Sequence, residues 1–178
     1  MKTIGLVPGG MKPFHAGHNF ILQEALRECD EVILFTTVKD RGVIKGANMK
    51  KAWLDLIQPL LPGLDSVSFV KSPIGAVYLY LENEGVPENE YRIYSGKDEI
   101  GRFRPEYLEK NYPDLLIVQP AALDPVKYSR SSATGVPVSG TKARKAIKTG
   151  NFRLFKSCLL YTSPSPRDRT RSRMPSSA

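Results

Sequence analysis

The sequence predicts an α/β fold in which a parallel sheet of five strands carries helices on both faces. Short, nearly continuous apolar runs recur along the chain, which is typical of strands that are covered on both sides. Amphipathic segments of about ten residues separate these runs, and this alternation indicates right-handed βαβ crossovers. The chain has 178 residues, of which 41% are hydrophobic and 25% charged. These values suit one globular domain with its own core.

The five predicted strands are rich in aliphatic and β-branched residues and end at charged, proline or glycine residues. In chain order they cover residues 3–8, 31–38, 67–70, 91–95 and 115–118. The sequence has no internal repeat and no second hydrophobic core. We therefore expect one Rossmann-like, doubly wound domain.

Apolar residues at helical spacing predict a helix after each of the first four strands. These helices cover residues 18–27, 48–61, 74–81 and 105–112. Pro59 predicts an early end or a kink in the second helix, and Gly85 is placed to terminate the third. Trp53 is expected in the core. Residues 121–138 are predicted to be a polar linker.

A fifth helix is predicted over residues 139–150. Ser139 or Thr141 can cap its first amides, and Gly150 suits the C′ position after its last turn.

The composition changes abruptly at the end of the chain. Residues 161–178 are mainly Ser, Pro and Arg and offer little to bury, which is typical of a disordered basic tail. Residues 158–168, followed by 172–178, also resemble the in-frame translation of a transposon-end sequencing adapter and of the library primer that follows it. We therefore expect residues 1–157 to form one domain, truncated at its C-terminus, and residues 158–178 to be a disordered, adapter-derived tail.

Leaving out this tail changes the charge and cysteine arguments. The formal net charge is +8 for the whole chain, but the residues from Cys158 onward contribute four arginines and one aspartate. The remaining +5 suits phosphate-bearing ligands and does not indicate a nucleic-acid groove. With Cys29 alone, no disulfide framework is expected. Since no signal peptide or long apolar span is evident, we expect a cytoplasmic protein without a membrane partner, and homo-oligomerisation stays open.

The loop after the first strand is the candidate ligand site. In an open parallel sheet, ligands bind beyond the carboxyl ends of the strands, where a strand passes into its helix. Gly9, Gly10 and Gly17 allow close backbone approach, and the helix that begins near Gly17 directs free amides at the loop. His15 and His18 can both reach an anion bound there. Two histidines at this spacing, taken alone, are more often ordinary polar residues of a loop or helix start. Zinc is disfavoured because no Cys or carboxylate lies at ligand spacing.

The complete loop, Gly10-Met11-Lys12-Pro13-Phe14-His15-Ala16-Gly17-His18, resembles the Gly-x-x-x-Pro-x-His-x-Gly-His signature of the HxGH nucleotidyltransferase superfamily. That superfamily includes nicotinamide-mononucleotide and pantetheine-phosphate adenylyltransferases and the cytidylyltransferases. The form seen here is most similar to the nicotinamide-mononucleotide branch. A second family signature, Ser-x-Thr-x-x-Arg at the start of a late helix, is matched by Ser139-Gly140-Thr141-Lys142-Ala143-Arg144. The resemblance covers about residues 1–156.

The resemblance implies a direct in-line transfer. An acceptor phosphate attacks the α-phosphate of a nucleoside triphosphate, and pyrophosphate leaves with Mg²⁺. Such a step needs positioning and charge neutralisation more than a strong base. The residues assigned to catalysis are His15, His18, Arg144 and Lys12. Those assigned to nucleotide binding are Gly9, Gly10, Gly17, Gly96, Asp98, Ser139, Gly140, Thr141 and Lys142.

Several of these assignments keep an alternative. Lys12 and Lys142 lie beside the motifs but are equally suited to solvent. Gly96 and Asp98 resemble a Gly-x-Asp element that contacts the base or ribose, or else form a plain turn. Residues 39–41 are interpreted as a solvated charge run rather than as acceptor contacts.

The favoured function is transfer of AMP from ATP to a phosphate-bearing acceptor such as nicotinamide mononucleotide. A CTP-dependent cytidylyltransferase and a pantetheine-phosphate adenylyltransferase remain open. From other classes, the alternatives are a nucleotide-binding module without catalysis and, on the raw charge, a nucleic-acid-binding protein.

Overall fold

A computed structural model describes residues 1–12, 14–96, 99–119, 140–151 and 153. The predicted linker over 121–138 and the predicted tail over 158–178 lie outside the described residues. Within them, one sheet contains five parallel strands, as predicted. The strands are β1 (Lys2–Pro8), β2 (Glu31–Thr37), β3 (Ser66–Val70), β4 (Asn89–Ile93) and β5 (Leu116–Val118).

The strand order is β3-β2-β1-β4-β5, so β1 lies at the centre with β2 on one side and β4 on the other. In the parallel register, Leu6 of β1 pairs with Ile33 of β2 and with Ile93 of β4. The chain winds outward from β1 in one direction and then in the other. This reversal forms a topological switch point at the carboxyl ends of β1 and β4, where open α/β sheets bind ligands.

Helices cover both faces of the sheet, which confirms the doubly wound prediction. They are α1 (Ala16–Glu28), α2 (Gly46–Ala52), α3 (Pro73–Glu84), α4 (Pro105–Asn111) and α5 (Gly140–Lys148). Successive strand residues point to opposite faces. Leu34 accordingly packs in one cluster with Leu22 of α1, whereas Phe35 packs in the other with Val77 of α3.

The helix after β2 changes its winding as Pro59 predicted. Its α-helical part ends at Ala52, a π-helical turn follows over Trp53–Ile57, and a 3₁₀ turn covers Gln58–Leu60. Proline has no amide proton and its ring collides with the preceding turn, so the regular ladder cannot continue through Pro59. Trp53 is fully buried, as expected for a core residue.

The two predicted helix terminators act in different ways. Gly150 has a φ of +67°, and the amides of Gly150 and Asn151 donate to Ile147 and Ala146 at 3.2 and 2.9 Å. This is the Schellman arrangement expected for a C′ glycine. Gly85 ends α3 with a φ of −66°, and a Cβ there would lie 2.2 Å from the Leu81 carbonyl oxygen. Close approach, not a left-handed backbone, requires glycine at position 85.

Among the described helices, none combines the length and the apolar composition that crossing a bilayer requires.

Candidate active site

A cleft of about 750 Å³ lies beyond the carboxyl ends of β1, β2, β3 and β4. It therefore occupies the switch point predicted for the ligand site. Most of the charged side chains that line it are cationic, so it favours anions. The cationic residues are Lys12, Lys39, Arg41, Lys71, Arg102 and Arg144, and the acidic ones are Asp40 and Glu99.

The loop from β1 to α1 is fastened to the neighbouring strand. The Gly9 amide donates to the Phe35 carbonyl at 2.9 Å, and the Thr36 hydroxyl donates to the Gly10 carbonyl at 3.1 Å. Met11 is buried and adopts a φ of +46°, in the left-handed region that non-glycine residues rarely enter. These contacts hold the loop at the end of β2.

His15 caps the first turn of α1. Its Nδ1 accepts from the amides of Gly17 at 3.1 Å and His18 at 3.4 Å. In return, the His18 Nδ1 accepts from the His15 amide at 3.4 Å. A nitrogen that accepts cannot carry the proton, so each neutral ring is the Nε2–H tautomer. The helix start thus fixes two imidazoles as Nε2–H donors beside the cleft.

The two imidazoles stack on each other, with ring centroids 3.7 Å apart and an interplanar angle of 15°. Phe14 supports the stack from the core side, because its ring lies 6.0 Å from His18 and 4.8 Å from Trp53. The orientation of the histidines is therefore set by packing as well as by hydrogen bonds.

Burial makes His15 a neutral donor. The side chain is 5% exposed, and desolvation, with a smaller repulsion from Arg144, lowers the pKa of His15 to about 4. At neutral pH this imidazole carries no charge and keeps its Nε2 proton. It can donate a hydrogen bond to a phosphate oxygen but is not itself a cation.

Helix α5 brings the second motif to the same cleft. Buried Ala143 packs against Ala16 at the start of α1, and Thr141 and Arg144 line the cleft. The Arg144 guanidinium donates to the Lys12 carbonyl at 2.7 Å and to the Thr141 hydroxyl at 3.3 Å. Desolvation lowers the pKa of Arg144, with a smaller contribution from Arg41.

Lys12 lies in an environment that is unusual for a lysine. It is 2% exposed, and its ammonium donates to the Thr37 carbonyl at the end of β2. Desolvation lowers the pKa of Lys12, Asp40 opposes this shift, and Arg41 adds to it. The ammonium lines the cleft without a carboxylate ion pair among the described residues.

The remaining candidates from the sequence fall into three groups: residues that line the cleft, residues near it, and residues outside the described part of the chain. Gly9, Gly10 and Gly96 line the cleft, and Gly17 lies in the first turn of α1. Gly140 begins α5, and Lys142 is exposed and is not part of the cleft lining. Asp98 and Ser139 lie outside the described residues.

Residues 39–41 are exposed, as predicted for a solvated charge run, but all three also line the cleft. The prediction was therefore incomplete. Lys71 and Ser72 after β3, and Glu99 and Arg102 after β4, are lining residues that sequence reasoning missed. Their position after predicted strands was the available signal, since all carboxyl ends of a parallel sheet meet at one edge.

No group of three or more His, Cys, Asp or Glu side chains in the described part of the chain is arranged to hold a metal ion.

No protein-family model and no curated protein sequence matches the chain. Solved structures do resemble it. A protein of Vibrio parahaemolyticus, provisionally assigned as a nicotinate-nucleotide adenylyltransferase, matches with a TM-score of 0.52 at 17% identity, over 84% of this chain and 89% of that one. Nicotinic acid mononucleotide adenylyltransferase of Plasmodium falciparum matches with a TM-score of 0.50 at 14% identity, over 89% and 90% of the two chains.

A bifunctional NMN adenylyltransferase/ADP-ribose pyrophosphatase of Francisella tularensis matches with a TM-score of 0.60 at 15% identity. The match covers 98% of this chain and 50% of the bifunctional protein. That protein was also solved with AMP and a manganese ion. At these identities the likeness establishes architecture, and the chain has the Rossmann-like α/β fold that these adenylyltransferases share.

Proposed function

We propose that this protein is a nucleotidyltransferase that transfers AMP from ATP to a phosphate-bearing acceptor such as nicotinamide mononucleotide, releasing pyrophosphate. One observation carries the proposal. His15 and His18, from the first sequence motif, and Thr141 and Arg144, from the second, line a single cleft at the switch point of the sheet. The adenylyltransferases of similar fold act on nicotinate or nicotinamide mononucleotide, which favours ATP and a pyridine mononucleotide as substrates.

In the proposed reaction an oxygen of the acceptor phosphate forms a bond to the α-phosphorus of ATP. The bond from that phosphorus to the bridging oxygen breaks, and pyrophosphate leaves with the electron pair. Negative charge grows on the bridging and leaving oxygens. The Nε2–H groups of His15 and His18 donate to these phosphates, and the permanent charge of Arg144 offsets the rest.

The neutral His15 suits this role because the acceptor phosphate is already anionic and needs no general base. The pKa of about 4 for His15 keeps its Nε2 proton available as a hydrogen-bond donor throughout the physiological range. Lys12 adds a cation at the base of the cleft. No covalent intermediate with the protein is needed.

The other candidates would bind the nucleotide. The β- and γ-phosphates would be held by the first amides of α5 together with Ser139, Gly140, Thr141 and Lys142. Gly9, Gly10 and Gly17 would allow the chain to approach the substrates, and Gly96 and Asp98 would lie near the base or ribose.

We propose that Mg²⁺ enters with the triphosphate, as part of the substrate. The donor set favours this over a resident ion, because the described residues offer no three-ligand cluster and the cleft is mainly cationic. A divalent ion is in keeping with the manganese seen with AMP in the Francisella protein.

The test is a pyrophosphate-release screen that crosses ATP and CTP with nicotinamide mononucleotide, nicotinate mononucleotide, pantetheine phosphate and glycerol phosphate. We expect the fastest release with ATP and a pyridine mononucleotide. His18→Ala should lower turnover by roughly a hundredfold or more, the scale for removing a donor to the transition state. Gln23→Ala, an exposed position on the same helix, is the control and should turn over like the wild type.

The same screen separates the alternatives. Faster release with CTP would indicate a cytidylyltransferase, and preference for pantetheine phosphate would change the acceptor. ATP binding without release of pyrophosphate would indicate a binding module, and full turnover in His18→Ala would contradict the mechanism. Removing residues 158–178 should leave turnover unchanged, whereas nucleic-acid binding that persists after their removal would favour a nucleic-acid-binding protein.

A further inference from the structure

The position of Arg144 depends on contacts outside its own helix. In the described residues, α5 enters neither of the two large core clusters. Its buried residues are Ala143, which packs against Ala16, and Ala146. Two alanine methyl groups bury little apolar area, so they restrain the helix weakly. The loop after β2 supplies the missing restraint.

That loop is a compact turn. The amide and carbonyl of Arg41 pair with the carbonyl and amide of Ile44 at 2.9 and 3.1 Å. Gly42 within the turn adopts a φ of +56°, which favours glycine. A Cβ built on Gly42 would lie 3.4 Å from the Cδ of Arg144, so the turn packs directly on the stem of this arginine.

Asp40 fastens the turn at its base. One carboxylate oxygen accepts from the Gly46 amide at 2.8 Å, and the other accepts from the Lys45 ammonium at 3.2 Å. The Gly46 bond, followed by Lys45, lowers the pKa of Asp40, so the carboxylate stays ionised at neutral pH. A Cβ on Gly46 would lie 1.7 Å from the Val38 carbonyl oxygen, so the two ends of the loop are in close contact.

We propose that Asp40 is a positioning residue for Arg144. Asp40 closes the loop of residues 38–46, and Gly42 in this loop packs against the aliphatic part of the Arg144 side chain. The Lys12 carbonyl holds the guanidinium from the other side. The loops after β1 and β2 thereby hold one residue of α5 in place before any substrate binds. The catalytic consequence rests on the proposed function, but the restraint itself does not.

The decisive measurement is the order parameter of the Arg144 Nε–H group from ¹⁵N relaxation, assigned by the signal lost in Arg144→Lys. Asp40→Ala should lower this order parameter. Asp40→Asn keeps an oxygen that can accept from the Gly46 amide and should restore it. Asp55→Ala is the matched control, because Asp55 pairs with Lys51 and is similarly exposed, at 51% against 56% for Asp40.

Turnover gives a second readout. Asp40→Ala should lower kcat/KM for the nucleotide by roughly tenfold or more, as expected for a misplaced catalytic group. It should have no further effect in an Arg144→Ala background, since residues that act through one another are not additive. Gly42→Ala strains the turn because its φ of +56° disfavours a side chain, and it should also lower the Arg144 order parameter.

An unchanged Arg144 order parameter in both Asp40→Ala and Gly42→Ala would overturn the proposal, as would additive losses in Asp40→Ala and Arg144→Ala. If the wild type releases no pyrophosphate with any substrate pair, the proposed function fails. The relaxation measurement still decides the role of Asp40 in that case.

Discussion

The two halves of the candidate site are built in different ways. The half that carries His15 and His18 continues directly into α1, and this helix contributes Ile21, Leu22 and Ala25 to a large core cluster. The half that carries Arg144 belongs to α5, in which only Ala143 and Ala146 are buried among the described residues. Arg144 donates to the Lys12 carbonyl in the loop after β1 and packs against Gly42 in the loop after β2.

This difference separates what the core determines from what surface loops determine. The first half supplies a buried, neutral donor, His15, and a half-buried one, His18, and their geometry is fixed once the domain folds. The second half supplies a permanent charge whose placement depends on a few specific contacts. Substitutions that remove a packed or capping group in the first half should therefore change stability and turnover together. Substitutions where α5 packs on α1 should change turnover with little loss of stability.

The largest effect is expected at His15, where stability and activity can be separated. His15→Ala removes both the helix cap and the Nε2–H donor. It should lower turnover by roughly a hundredfold or more and the free energy of unfolding by about 0.5–2 kcal/mol. His15→Asn keeps a cap for the Gly17 amide, so it should lose the activity and retain the stability. Urea unfolding and pyrophosphate release measure the two effects, and equal stability loss in both variants would contradict the capping role.

The buried, neutral state of His15 also predicts a specific pH dependence of stability. Its pKa is about 4 in the folded protein and about 6.5 in the unfolded chain. Between these values the unfolded chain binds a proton that the folded protein does not, so the free energy of unfolding should fall as the pH is lowered from 6.5 to 4. The loss from this group approaches about 3 kcal/mol at the low end.

Urea unfolding at pH 7, 5.5 and 4 checks this prediction, with His15→Asn as the reference. His18 and Arg144, which stack on or face His15, are present in both proteins and their contributions largely cancel. The wild type should lose more stability than the variant over this window. Parallel profiles would show that His15 is not buried in the neutral form.

Much of this architecture was predictable from the sequence, because burial on both faces of a parallel sheet leaves continuous apolar runs. The start of α1 was less well predicted. Histidine is not a common N-cap, so the helix was expected to begin near Gly17, whereas His15 caps a helix that starts at Ala16. The reciprocal bonds between the two histidines become visible only when the turn is built.

Lys12 and Asp40 show why part of the site could not be predicted. Lysines and charge runs are usually solvated, and nothing local to Lys12 indicates that the Thr37 carbonyl will receive its ammonium. Asp40 closes a local loop, but the role proposed for it depends on the contact between Gly42 of that loop and Arg144, about a hundred residues later in the chain. Such long-range contacts leave no periodic pattern in the sequence.

The smallest effect on stability, with a clear effect on turnover, is expected where α5 packs against α1. Ala143 is fully buried against Ala16, and Ala143→Leu adds three carbons where the two helices meet. Overpacking should move α5 outward and lengthen the 2.7 Å bond from Arg144 to the Lys12 carbonyl. We expect kcat/KM for the nucleotide to fall roughly tenfold, while the melting temperature changes little because α5 enters neither large cluster.

Lys148→Leu places the same side chain at an exposed position of α5 and should behave like the wild type. A large fall in melting temperature for Ala143→Leu would mean that α5 folds as part of the core, and the contrast between the two halves of the site would then be wrong.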